Sequence, residues 1–321
     1  MLHRSNLRES VLFQPARLGA NELKVIAGYA SPSMASWHIT ELRGIISTRI
    51  DIKLIIGMCL SDGLTFSTHN GFKNMMAEYN SGLSTFSCQY ITEGAPVHSK
   101  LYLWERDAVP LCAFIGSANY TQTAFSSLRN ELMTECDPRE ALEYYNFLEP
   151  HSTFCNHSEI ENSIVLKPTS PLLASEQTNT VSIQGTGIDN VRLSLLAQNG
   201  ETGFGSGINW GHRRDGTKRE PNQAYIPLPS NVAKTGFFPL DRKHFSVITD
   251  DGKQIILRVE QQNDKAITTP LNNSLIGEYL RGRLGVPNGA FVTKTDLQKY
   301  GRTDITFYRL DDEQFFMDFS V

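Results

Sequence analysis

The chain lacks several things that would name a function at once. No run approaches the roughly 20 consecutive apolar residues that a membrane-crossing helix needs. The first residues mix Arg4, Arg8 and Glu9 with apolar positions and contain no apolar core of a signal peptide, so a cytoplasmic protein is expected. There is no H-E-x-x-H, no C-x-x-C and no tight Asp/His cluster. Glu22-Leu23-Lys24 resembles the end of a metal-dependent nuclease motif but lacks the acidic strand residue before it. Neither a metal nor a cofactor is therefore expected. A G-x-x-x-x-G-K-[ST] phosphate loop is also missing, so ATP use would need another polypeptide. Excess positive charge is absent too, the formal net charge being −4. Five cysteines, an odd number without paired spacing, argue against a disulfide framework and for buried thiols in a reducing compartment. No repeat or low-complexity tract is visible.

Two textures are present instead. Residues 1–155 alternate β-rich runs with amphipathic helical runs, the pattern of an α/β sandwich. Strands are expected at 23–29, 52–60, 86–91, 97–104, 110–116 and 131–136. Helices are expected behind Pro32 (capped by Ser33), at 72–79 and at 138–147. The run 52–60 is too apolar to have a wet face and should lie inside a sheet covered on both sides. Residues 156–180, rich in Ser, Thr, Asn and Pro, read as a linker or crossing segment. From 181 to 321, short strands at 191–196, 223–228, 244–249, 254–260, 306–310 and 314–319 are separated by Gly, Asn and Asp turns. Asp250-Asp251-Gly252 signals a hairpin. Helices at 273–284 and 294–300 complete what reads as a compact β-barrel with helices at its ends.

Chemistry concentrates in Val97-His98-Ser99-Lys100 and, a dozen residues later, Gly116-Ser117-Ala118-Asn119. Strand side chains alternate with period two, so His98 and Lys100 should share a face and Ser99 should point away. An imidazole beside a permanent cation suits a phosphate. Ser117 and Asn119, at a strand-to-turn junction, can donate to the same oxygens. Glu131 can accept from an imidazole N–H and fix its tautomer. Each piece alone is weak, since a lone His-x-Lys is usually a solvated surface pair. Order and spacing together carry the signal.

That combination resembles the phospholipase D superfamily, whose signature is H-x-K, four residues, D, then G-S-x-N. His98, Lys100, Ser117 and Asn119 match. The family Asp falls on Glu105, a departure that puts a catalytic role there in doubt. The resemblance implies that one His attacks phosphorus, forming a phosphohistidine, while a second protonates the leaving oxygen. With a single H-x-K, the active site would need a homodimer through the catalytic domain.

The second half carries Asn209-Trp210-Gly211-His212-Arg213-Arg214, then Lys218 and Arg219, a Gly-flanked polar loop equipped for a DNA groove. A second stretch around Gln262, Asn263 and Lys265 could form an opposing arm. The bland alternative for both is a solvated turn. Over nearly its whole length the chain resembles the phospholipase-D-type restriction endonucleases of the NgoFVII and BfiI group, with a C-terminal pseudobarrel similar to the plant B3 domain. The resemblance implies sequence-specific cleavage of double-stranded DNA, with recognition residues on two arms. It transfers that role to the two stretches named, while Arg281 and Arg283, on an expected helix, are either structural or phosphate-contacting. Some members of the group act with a separate ATP-dependent helicase-like partner. The competing reading is a phospholipase-D-type phosphodiesterase for a lipid or other non-DNA substrate; a DNA-binding protein with a relic motif is the third.

Overall fold

The computed structural model describes residues 1–126, 129–168, 173–174, 182–183, 187–213 and 219–321, and divides into two compact units, Met1–Thr169 and Ser170–Val321. Among the described residues no helix is long and apolar enough to cross a membrane.

In the first unit the elements run β1 (Leu2–His3), a π-helical turn (Arg8–Phe13), α1 (Gln14–Arg17), β2 (Glu22–Ala27), α2 (Pro32–Ile45), β3 (Ile50–Ile56), β4 (Leu64–Thr65), α3 (Phe66–Glu78), β5 (Ser84–Ile91), β6 (Leu101–Arg106), β7 (Val109–Gly116), β8 (Met133–Cys136), α4 (Pro138–Leu148), β9 (Ser152–Phe154), α5 (Ile160–Ser163) and β10 (Leu166–Lys167). Eight of the strands form one sheet in the order β1-β8-β7-β6-β2-β3-β5-β9. Strand β3, the most apolar run, is interior and pairs in parallel with both β2 and β5. That is the arrangement a run with no wet face requires. Helix α4 covers one sheet face, where Ala141, Tyr145 and Leu148 pack with Ile26, Leu101, Leu103 and Ala113. On the other face the Trp104 indole donates to the Val11 carbonyl (2.8 Å), and His38 of α2 hydrogen-bonds the Tyr120 hydroxyl (2.9 Å).

Several boundaries differ from the sequence expectation for local reasons. Helix α2 is capped by Ser31, which accepts from Met34 N, and not by Ser33; Pro32 occupies the first turn, where its missing N–H costs nothing. Helix α3 begins at Phe66, six residues earlier than its apolar stripe indicates, because Thr65 caps it. The strand expected at 97–104 starts only at Leu101, and that expected at 131–136 starts at Met133, so His98, Lys100 and Glu131 all lie just outside the ladder. Residues 156–168, expected to belong to a connecting segment, are folded into this unit: β10 pairs with β4, and Ile160 and Ile164 are buried.

The second unit contains β11 (Leu173–Ala174), β12 (Ser182–Ile183), β13 (Asn190–Ser194), β14 (Ile226–Pro227), α6 (Ser230–Ala233), β15 (His244–Thr249), β16 (Gln254–Glu260), β17 (Ala266–Thr268), α7 (Ser274–Leu284), α8 (Lys294–Tyr300), β18 (Asp304–Arg309) and β19 (Gln314–Asp318). Seven strands form a sheet in the order β13-β18-β19-β15-β16-β17-β14. Its edge strands β13 and β14 approach each other, so the sheet nearly closes into a barrel. Phe238, Phe245, Phe307 and Phe315 fill the interior, with Leu280 of α7 and Leu297 of α8 packed into the same core. The turn after β15 uses Gly252 at φ 78°, as the Asp-Asp-Gly signal indicates. Helix α8 begins with a reciprocal capping box between Thr293 and Asp296. Strand β17 was not expected: it is a short, fully buried ladder element directly after a polar loop.

Two glycines beside the motif segments are fixed by backbone approach. A Cβ on Gly57 would sit 1.9 Å from the Val97 carbonyl oxygen, and one on Gly116 would sit 2.0 Å from that of Leu132. Both contacts hold flanking segments against the same end of the sheet. Gly57→Ala must push the 97–100 segment outward. We expect it to cost about 1–3 kcal/mol, read as a fall of several degrees in the thermal midpoint with a concurrent loss of activity.

Candidate active site and nucleic-acid interface

Register puts the motif residues together. Strand β6 runs antiparallel to β2 with Leu101 opposite Ile26, so the segment before it carries His98 to the end of β2, beside Gly28 and Tyr29. Strand β7 runs antiparallel to β6 with Ile115 opposite Leu101, and Gly116 N donates to the Lys100 carbonyl (3.2 Å). Beyond β7, Ser117 N donates to the Leu132 carbonyl (2.9 Å), which brings Glu131 alongside. All of these residues therefore lie at one end of the sheet, beyond the carboxyl ends of β2 and β3, the place where open α/β sheets bind ligands.

Lys100 is buried, and its Nζ lies 3.0 and 3.1 Å from the two ring nitrogens of exposed His98 and 2.7 Å from the His98 carbonyl oxygen. A neutral imidazole offers one acceptor nitrogen, so the ammonium can donate to only one of them at a time. Ser99 points the opposite way and meets the Tyr144 hydroxyl (3.0 Å). The alternation expected from strand geometry thus holds one residue beyond the strand. Desolvation pulls the Lys100 ammonium below its usual range, and the charge of Glu131 opposes that pull.

Glu131 accepts from the Ser117 hydroxyl, which in turn accepts from Leu132 N (3.0 Å). This differs from the sequence expectation of a carboxylate on an imidazole N–H. Glu131 begins two residues before β8, on a segment that faces Ser117 and Lys100. Asn119 Oδ1 accepts from Tyr29 N (3.2 Å), which fixes the amide's orientation and leaves its NH2 as the end able to donate. Tyr120 secures that turn from behind: its N–H donates to the Tyr29 carbonyl (3.2 Å) and its carbonyl accepts from Ser31 N (3.1 Å). Behind it, His38 is buried among aromatic rings and is pushed down to about 4 by desolvation, so it is a neutral structural group.

Glu105 is taken out of contention. It is buried at the far end of β6, where it accepts from Lys24 Nζ (2.6 Å). Glu22, the first residue of the nuclease-like tripeptide, is paired with Lys24 (3.2 Å) and Lys53 (2.8 Å). Among the described residues no group of three or more His, Cys, Asp or Glu is arranged to hold a metal ion. Sequence reasoning missed Gly28, Tyr29 and Asp62. The available signal was a glycine just past the end of a parallel strand, which marks a close approach. A Cβ on Gly28 would lie 3.0 Å from His98 Cδ2.

In the second unit the expected recognition residues separate into two groups. Arg281 is fully buried, and its guanidinium donates to five carbonyls, those of Ala290 (2.8 Å), Ile208 (3.2 Å), and Asn222, Gly277 and Pro221 (each 3.3 Å). It is an internal strut. Asn209 is also fully buried, donating to the Val292 carbonyl (2.8 Å) and accepting from Val292 N (2.9 Å). Arg283 forms a fork on Asp250 (2.9 and 2.6 Å) and donates to the Tyr279 and Tyr300 hydroxyls (2.8 and 2.7 Å). All three are engaged within the fold: Asn209 departs from the recognition role expected of it, and Arg281 and Arg283 take the structural one of the two roles left open for them. The reason is that apolar burial and carbonyl-rich turns recruit a polar side chain inward, an event invisible in residue type.

Of the other described residues in the first stretch, Arg213 is exposed, while Trp210, His212 and Arg219 are half-buried. The Arg219 guanidinium lies 3.8 Å and that of Arg213 5.6 Å from the Trp210 ring centroid. His212 packs edge-on against Phe291, and desolvation first, then the charge of Arg281, pulls its pKa down. Gln262, Asn263 and Lys265 are exposed on the loop between β16 and β17, where Gln261, Asn263 and Asp264 all have positive φ (74°, 64° and 53°). Arg214 and Lys218 lie outside the described residues.

Comparison with known proteins agrees with this division. Residues 5–162 match the family model of the NgoFVII restriction endonuclease N-terminal PLD domain, and residues 183–311 match that of the NgoFVII C-terminal B3-like DNA-binding domain. No protein of curated function matches the chain. Among solved structures, NucT from Helicobacter pylori is 13% identical, with 48% of this chain and 97% of that one covered at a TM-score of 0.33. Nuc from Salmonella typhimurium, a phospholipase D family member, is 18% identical, covering 48% and 95% at a TM-score of 0.33. Polyphosphate kinase from Porphyromonas gingivalis is 12% identical, covering 51% and 26% at 0.30.

The strut assignment is testable without DNA. Arg281→Met keeps bulk but removes the donor that five carbonyls share. It should cost about 3–5 kcal/mol, seen as a large fall in the unfolding midpoint of the second unit. A variant as stable as the parent protein would refute the strut.

Proposed function

The chain belongs to the phospholipase-D-type restriction endonucleases of the NgoFVII group and is a DNA endonuclease with a B3-like DNA-binding domain; from that premise we propose that it cuts sequence-specific sites in double-stranded DNA without a metal ion, through a phosphohistidine formed in a homodimer. The observation that carries the reading is the buried Lys100 ammonium held beside the exposed His98 imidazole. A buried cation short of oxygen partners favours a phosphate oxygen, and the adjacent imidazole can then meet phosphorus in line.

In the proposed reaction His98 of one chain attacks phosphorus. The P–N bond forms as the bond to the leaving sugar oxygen breaks, and the partner subunit's His98 gives that oxygen a proton. Water, deprotonated by the partner subunit's His98, then attacks the phosphohistidine and releases the first imidazole. Lys100 neutralises the non-bridging oxygens and the Asn119 NH2 donates hydrogen bonds to them. Glu131 orients the Ser117 hydroxyl and offsets the Lys100 charge when no phosphate is bound. Two apolar side chains that flank the motif, Ile115 (42% exposed) and Leu132 (44% exposed), support docking of a second copy there.

For DNA, we assign Arg213, Arg219 and Trp210 to one arm, with His212, and Gln262, Asn263 and Lys265 to the other; Arg214 and Lys218 extend the first in sequence. The exposure of Arg213, Gln262, Asn263 and Lys265, set against the burial of Asn209 and Arg281 and the internal pairing of Arg283, supports that choice. Any ATP-driven step belongs to a separate helicase-like polypeptide.

Two measurements test the reading. Unmethylated DNA is incubated with the protein in excess EDTA, with His98→Ala alongside. The parent protein should cleave, and the variant should fall by at least about 10³-fold. Cleavage that survives the substitution, or turnover of a phosphatidyl substrate in place of DNA, overturns it. Arg219→Ala and Lys265→Ala should each weaken DNA retention about 3–10-fold and lower the slope of log affinity against log salt by roughly one. An unchanged slope in both variants removes these residues from the interface.

A further inference from the structure

Next to the H-x-K segment stands a group that the motif does not contain. Tyr29, just past the end of β2, presents its ring to His98 edge-on, with centroids 5.9 Å apart and planes at 79°. Its N–H holds Asn119 (3.2 Å), and its hydroxyl donates to the Asp62 carboxylate. Asp62 is itself held by a tight turn, its N–H donating to the Met58 carbonyl (2.9 Å). Gly63, which follows it, has φ 71°, and a Cβ there would come within 2.4 Å of the Val165 carbonyl. Leu64 and Thr65 then pair with Leu166 and Lys167. The loop is thus pinned from both sides.

We propose that Tyr29 and Asp62 are a positioning pair for His98: the Tyr29 ring fixes the imidazole plane for in-line attack, and the Asp62 carboxylate anchors the phenol that carries that ring. This inference rests on the two-histidine reading above.

The geometry gives the pair a reason to exist. Lys100 Nζ lies against both ring nitrogens of His98, and a Cβ on Gly28 would come 3.0 Å from its Cδ2, so the imidazole is bounded on those sides while the Tyr29 ring meets it edge-on. The phenol is tethered in turn. Asp62 is held below the usual carboxylate range by the Tyr29 hydrogen bond first and by one from Ser61 next. The same bond to Asp62, with a smaller contribution from desolvation, raises the Tyr29 phenol above its ordinary range, so it stays a donor.

The test uses single-turnover DNA cleavage by the full-length protein, with DNA affinity measured separately. Tyr29→Leu, which removes the ring, should lower the cleavage rate about 10–100-fold with affinity unchanged. Tyr29→Phe and Asp62→Ala, which keep the ring and remove its tether, should each fall about 3–10-fold, and Asp62→Asn, which keeps an acceptor for the phenol, should stay within about threefold. Tyr29→Leu matching Tyr29→Phe, or Asp62→Ala matching the parent protein, overturns the pairing. Asp62 is partly exposed, so its variants remain informative if Tyr29→Leu does not fold. His98→Ala distinguishes the two levels: an inert His98→Ala with a fully active Tyr29→Leu rejects only the positioning pair, whereas an active His98→Ala rejects the parent mechanism with it.

Discussion

A positive charge removed from water must be surrounded by oxygen, and both units are organised around that constraint. In the second unit it is met in full. Arg281 collects carbonyls from α7 and from the segments around residues 208, 221–222 and 290, and so ties three surface loops to one buried point. In the first unit it is met only in part. Lys100 has one carbonyl at hydrogen-bond distance, an imidazole, and the field of Glu131. A saturated cation makes a scaffold; an under-saturated one makes a binding site. The desolvation cost is several kcal/mol per buried ion, so in the proposed reaction the unmet part of the Lys100 shell favours uptake of a phosphate oxygen.

The sheet explains why the right groups meet. Residues 98, 100, 117, 119 and 131 are spread over 34 positions, yet the antiparallel registers of β2, β6, β7 and β8 deliver all of them to one edge. Close backbone contact then fixes depth. Gly57 admits the Val97 carbonyl, Gly116 that of Leu132, and Gly28 the imidazole edge. These three glycines do the work that loops do elsewhere, and they do it by lacking a Cβ.

Much of this was legible in the sequence, and the parts that were not share a cause. The interior position of β3 followed from its unbroken apolar run, and the hairpin at 250–252 from its turn residues. His98 and Lys100 were legible because a period-two spacing maps directly onto one face. Asn209 turned inward against expectation, and Arg281 and Arg283 could not be assigned between two roles, because composition describes a residue's chemistry and not its direction. In a loop full of carbonyls, a guanidinium is as useful inside as outside. Tyr29 and Asp62 were missed for a complementary reason. Each is ordinary where it stands in the chain, 33 positions from the other, and acquires meaning only through a parallel sheet and a pinned turn.

The strand formed by Leu166 and Lys167 bears on how such proteins diversify. An exchange of the recognition module by recombination would have to respect that strand. A crossover placed where the composition first turns polar, near residue 156, would leave the nuclease without the strand that braces the Asp62 loop and without the buried Ile160 and Ile164. Such a chimera would inherit a complete catalytic motif on an unbraced loop. Viable exchanges should therefore cluster after Thr169, where the first compact unit ends, so the history of these genes is expected to record its seams downstream of the visible change in sequence.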